Sequence, residues 1–93
     1  MNLMREIPEQ LTYFQKYAEG KLQDHIEDIE TQYKHRETSV EQKRTAYKRH
    51  QKIFENELSK KVDQLAPLDF DYIRLALGSM KHFYAKRLSL VYS

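Results

Sequence analysis

The feature that most constrains this chain is an apolar position that recurs every seven residues. Ile26, Tyr33, Val40, Tyr47 and Phe54 follow one another at this spacing. Because seven residues make about two turns of an α-helix, these side chains fall on one helical face. The repeat therefore predicts long helices that bury a common apolar seam.

The composition agrees with a helical protein. The chain has 93 residues, of which 32% are charged, and only two glycines and two prolines. Few helix breakers and many charged residues favour long uninterrupted helices over strands joined by tight turns. We expect residues 1–93 to form a single helical domain, in the size range where burial is modest.

The helix borders are marked unevenly. Apolar residues at three- and four-residue steps begin at Ile7, and Pro8 suits the start of a first helix. Pro67 disfavours helix at Ala66, and Asp69 is a good N-cap for a last helix. With a further turn near residues 36–39, the pattern predicts three helices of about 29, 28 and 23 residues.

The stretch "KHRETSVEQKR" leaves two arrangements open. Thr38 with Glu41, and Ser39 with Gln42, match the capping-box pattern that begins a new helix. The stretch has no glycine or proline, so one helix could also continue through it. The first case predicts an all-α fold, an antiparallel helical hairpin plus a third helix in a three-helix bundle. The second predicts a long-helix coiled-coil dimer.

Charge is distributed unevenly along the chain. Residues 1–31 carry a net charge of −4, residues 32–61 carry +5, and residues 62–93 carry +1. In an antiparallel hairpin, position i lies opposite roughly 75 minus i, which places Glu27 near Lys48. We therefore expect the basic stretch to be complemented within the chain. The alternative is that it binds an anionic membrane or nucleic acid, through Lys43, Arg44, Lys48, Arg49 and Lys52.

The residues offer little for catalysis. There is no cysteine, and none of the four histidines has the helical spacing of a metal-ligand pair. His25 and Asp28 are one turn apart without a visible third ligand, so we interpret His25 as a surface residue. With no glycine-rich phosphate loop either, we expect no enzymatic activity, no metal and no cofactor.

The last helix points to a binding function. It is apolar nearly all round, as in a helix buried between neighbours, and Gly78 and Ser79 permit close approach of another helix. We expect a small protein–protein interaction module that self-associates, as a homodimer, or binds another protein. No apolar run approaches the ~18 residues of a membrane span, and we expect a cytoplasmic protein. The predicted contact residues are Met80, Phe83, Tyr84 and Leu88.

Overall fold

A computed structural model describes residues 8–34, 40–66 and 71–91, and these form three helices. Helix α1 spans Glu9–Tyr33, α2 spans Val40–Leu65 and α3 spans Asp71–Val91. Each helix contacts the other two, which makes an all-α three-helix bundle. The predicted bundle is confirmed, and the alternative of one helix running through the first two segments is wrong. The predicted turn at residues 36–39 lies outside the described residues.

The helix ends follow from local chemistry. Pro8 is extended, with φ −53° and ψ 139°, and its carbonyl accepts a hydrogen bond of 3.0 Å from the Leu11 N–H. Glu9 then places a carboxylate at the positive end of the α1 dipole. At the other border, α2 ends at Leu65, as the following proline predicts. Pro67 itself and Asp69 lie outside the described residues.

The core runs along the line where the three helices meet. The seven-residue series contributes Tyr47 and Phe54, which are fully buried, and Ile26 and Tyr33, which are partly buried against the core. Val40, the first residue of α2, is exposed. The remaining core positions are also apolar: Phe14, Ala18, Leu22 and Ile29 in α1, Leu58 and Val62 in α2, Ala66 directly after α2, and Leu77, Tyr84 and Leu88 in α3.

The exposure of α3 differs from the expectation that its apolar surface is buried all round. One face packs on α1 and α2, and the opposite face carries exposed apolar side chains. In a bundle of three helices each helix is covered from one side only, so an all-round apolar helix must leave apolar groups outside. No helix among the described ranges has the length and apolarity needed to cross a membrane.

Candidate functional site

The most unusual surface of the molecule is the outer surface of α3, defined here as Tyr72, Leu75, Phe83 and Leu90. Their exposed fractions are 77%, 75%, 56% and 62%. Successive helical residues are rotated by about 100°, so these four side chains fall within a sector of about 80°. They therefore lie on one side of α3, distributed along nearly the whole helix, and share that side with the exposed Ser79 and Lys86.

The face of α3 beneath this surface is fixed in the core. Tyr84 is only 4% exposed, and its hydroxyl donates a hydrogen bond of 3.1 Å to Oε2 of Glu19 on α1. Burial, and next the hydrogen bond to Glu19, raise the pKa of the Tyr84 hydroxyl. Leu77 and Leu88 are fully buried on the same side. The outer surface is thus carried by a helix that its own core holds in place.

The four contact residues predicted from the sequence lie on different sides of α3. Tyr84 and Leu88 belong to the core, and Met80 is partly buried against it. Only Phe83 of the four lies on the outer surface. The sequence pattern was ambiguous because α3 has apolar residues on every side, so it could not show which of them the bundle covers.

Charged groups lie within the outer surface, between Phe83 and Leu90, and at its amino end. Lys86 lies in its sector, and the Arg87 guanidinium stands 5.8 Å from the ring centroids of both Phe83 and Tyr84. These two rings meet edge to face, with centroids 5.1 Å apart. Asp71 lies at the other end, in the first turn of α3. The outer surface is therefore basic toward its carboxyl end and acidic at its amino end.

The five α2 residues predicted to bind an anion differ in their contacts. Lys43 pairs with Glu30 of α1, with Nζ 3.2 Å from Oε2. The other four are exposed, and none lies within 4.0 Å of a carboxylate in the part of the chain that the structure describes: Arg44, Lys48, Arg49 and Lys52.

The predicted proximity of Lys48 and Glu27 does not produce an ion pair. Glu27 instead accepts a hydrogen bond of 3.1 Å from Gln23 on its own helix. Lys48 is five positions after Lys43, which corresponds to a rotation of about 140° around α2. Because Lys43 faces α1, Lys48 is turned away from it, and the acidic residues of α1 do not neutralise this part of the basic face.

A polar seam between α1 and α2 is the second unusual feature. His25 Nδ1 lies 2.9 Å from His50 Nδ1, and His25 Nε2 lies 2.8 Å from Oε1 of Glu57. Lys21 Nζ lies 3.6 Å from the other oxygen of Glu57, and His50 Nε2 lies 3.7 Å from Oδ2 of Asp28. The two histidine side chains are 11% and 14% exposed, so the interpretation of His25 as a surface residue is wrong.

Proton positions in the polar seam are restricted by its geometry. Because Glu57 can only accept while ionised, the proton of that contact resides on His25 Nε2. Between the two Nδ1 atoms one ring must donate and the other accept, so both rings cannot be imidazolium at once. Burial, and next the charge of His25, lower the pKa of His50.

The polar seam explains an irregularity of the sequence. Lys43, His50 and Glu57 recur every seven residues in a seam that would be apolar in a regular coiled coil. Each of them contacts a polar residue of α1. The pair His25 and His50 fits the predicted hairpin register, in which the numbers of opposite residues add to 75. The hairpin register was therefore the feature of the sequence that could have indicated the contact between His25 and His50. Among the described histidines and carboxylates, no group of three could hold a metal ion.

One further polar contact closes the end of this interface. The buried Tyr47 hydroxyl donates a hydrogen bond of 2.8 Å to Oε2 of Glu30. Burial, followed by this hydrogen bond, raises the pKa of Tyr47 to about 12. The bond from Tyr47, and next that from Lys43, lower the pKa of Glu30. These contacts fix the register of α1 against α2.

Comparison of the chain with protein-family models, with curated proteins and with solved structures found no match.

Proposed function

We propose that this protein is a helical interaction module that binds a helix of a partner protein through the outer surface of α3. The supporting observation is that four large apolar side chains on one side of α3 are each more than half exposed. With about 150–250 Å² for a full aromatic side chain, the four together expose roughly 500 Å². Apolar patches of about 300–600 Å² are the largest on typical monomers and often have a function.

The geometry suits a helical partner. Tyr72 and Leu75 are one turn apart, and Phe83 and Leu90 continue the same sector at the spacing of an amphipathic helix contact. Phe83 is the central anchor, because it lies nearest the middle of the surface and its ring is supported by Tyr84 and Arg87. Binding would remove these side chains from water while the buried face of α3 keeps its place in the core.

Site-specific photo-crosslinking tests the proposal. A photoreactive amino acid at Leu75 should give a discrete crosslinked product in the cells that make the protein, and Phe83→Ser should reduce it. The matched control is the same amino acid at Asn56, an exposed position on α2 outside the surface. No product from position 75, or the same products from both positions, contradicts the proposal.

A second candidate is binding to an anionic lipid surface through the basic face of α2. It is supported by the four exposed cations that have no ion pair to a described acid. Co-flotation with phosphatidylserine vesicles at low and physiological salt tests it, with neutral vesicles as the control. Binding should be lost in the Lys48→Glu, Lys52→Glu variant, and no flotation at either salt rejects this candidate.

A further inference from the structure

We infer that the occupant of the outer surface of α3 is the same surface of a second copy, with the two α3 helices antiparallel. This inference rests on the proposed function and specifies its partner. Its basis is that the outer surface is complementary to itself in size, polarity and charge when one copy is reversed against the other. A twofold interface requires this property, since each residue then meets its counterpart twice.

Ser79 lies in the same sector as the four apolar residues and is exposed. If the twofold axis passes at Ser79, positions whose numbers add to 158 face each other. Leu75 of one copy then lies opposite Phe83 of the other, in two equivalent contacts. Tyr72 lies opposite Lys86, so the aliphatic stem and ammonium of the lysine meet an aromatic ring. Leu90 stands at the outer edge of this arrangement.

Small residues occupy the centre, where the two helices come closest. Ser79, an exposed small residue, would meet its own counterpart on the axis. Small side chains at a crossing let helix axes approach to about 8 Å. The centre of the surface is therefore open enough for the two large Phe83 rings to fit on either side of the axis.

Charge selects the antiparallel orientation. In that orientation Lys86 of one copy approaches Asp71 of the other, since these positions add to 157. A parallel pair would instead place Lys86 beside Lys86 and Arg87 beside Arg87. The basic end of the outer surface thus meets the acidic end of its copy only when the helices are reversed.

The area of the outer surface sets the expected affinity of the dimer. Two surfaces of roughly 500 Å² bury at most about 1,000 Å² in total, which is near the lower limit of specific interfaces. The dimer should therefore be reversible and weak, with a dissociation constant in the micromolar range. Dilution should return the three-helix monomer without unfolding, because the core does not depend on the interface.

Sedimentation equilibrium with charge-reversed variants of the full chain tests the inference. Asp71→Lys and Lys86→Glu each replace two attractive contacts by two repulsive ones, and each should raise the dissociation constant about 5- to 10-fold. The double variant restores both pairs with the signs exchanged and should recover most of the affinity. Arg49→Glu, the same charge change on exposed α2, should leave the dissociation constant within about 2-fold.

The remaining outcomes separate this inference from the proposed function. A dimer whose affinity ignores all three α3 variants overturns the antiparallel pairing. A monomer at every concentration, together with a crosslink from position 75 to a different protein, overturns the inference and leaves the proposed function standing. A monomer with no crosslink from that position overturns both.

Discussion

Phe83 and Tyr84 are adjacent aromatic residues for which the structure predicts opposite consequences of truncation. Tyr84 is 4% exposed and hydrogen bonded to Glu19, whereas Phe83 is 56% exposed. Removing a buried aromatic ring costs about 3–5 kcal/mol, and losing its hydrogen bond adds about 1 kcal/mol. Tyr84→Ala should thus remove a large part of a total stability of about 5–15 kcal/mol. Phe83→Ala should cost less than about 1 kcal/mol.

Thermal unfolding followed by far-UV circular dichroism measures both effects. The protein is kept dilute, so that any association of the monomer does not contribute. With about 4–8 °C per kcal/mol in a domain of this size, Tyr84→Ala should lower Tm by roughly 15 °C or more and Phe83→Ala by less than about 8 °C. Tyr84→Phe, which keeps the ring, should cost only about 1 kcal/mol. Equal losses for Phe83→Ala and Tyr84→Ala would refute the assignment of one ring to the surface and the other to the core.

Three further outcomes follow from other parts of the bundle. Because burial, and next the charge of His25, hold the pKa of His50 below its ordinary 6.5, the unfolded chain gains a proton that the folded protein resists as pH falls. The free energy of unfolding should therefore be greatest above pH 6.5 and decrease as the pH falls below it, and His50→Gln should flatten this dependence; a rise on acidification would contradict it. Spectrophotometric titration should show one tyrosine that ionises with a pKa of about 12, and this ionisation should be absent from the Tyr47→Phe variant. If the titration curve of Tyr47→Phe is the same as that of the wild type, the bond from Tyr47 to Glu30 is disproved. Gly20→Ala should stabilise the protein by about 0.5–1 kcal/mol in thermal unfolding, because this exposed helical position has nothing within 4 Å of an added Cβ and a normal backbone; destabilisation would count against the position of α1.

The fold was largely predictable because its determinants are local. Periodicity at three-, four- and seven-residue steps defines helices without reference to the rest of the chain, and a proline such as Pro67 disfavours helix at the residue before it. The choice between a bundle and a continuous helix was not local. It depended on whether α2 turns back on α1, which the sequence between Tyr33 and Val40 permits but does not require.

The site was less predictable, for a related reason. His25 and His50 are 25 residues apart, so no motif spacing reveals their contact, although the hairpin register places them opposite each other. On α3, Phe83, Tyr84 and Leu88 have similar apolar character, and only the position of α1 and α2 decides which of them water reaches. Hydrophobicity identifies an apolar helix, but it does not separate the residues that the core buries from those that water reaches.

Disulfide trapping tests the central claim, that α3 binds a second copy through its outer surface, most directly. The chain has no cysteine, so one introduced residue reports on one position. In an antiparallel pair centred on Ser79, two Ser79→Cys side chains meet across the axis within the Cα separation of about 4.4–6.8 Å that a disulfide needs. Under mild oxidation Ser79→Cys should form a linked dimer much faster than Asn56→Cys, whose side chain is exposed elsewhere. Equal or slower linking at position 79 would contradict the account.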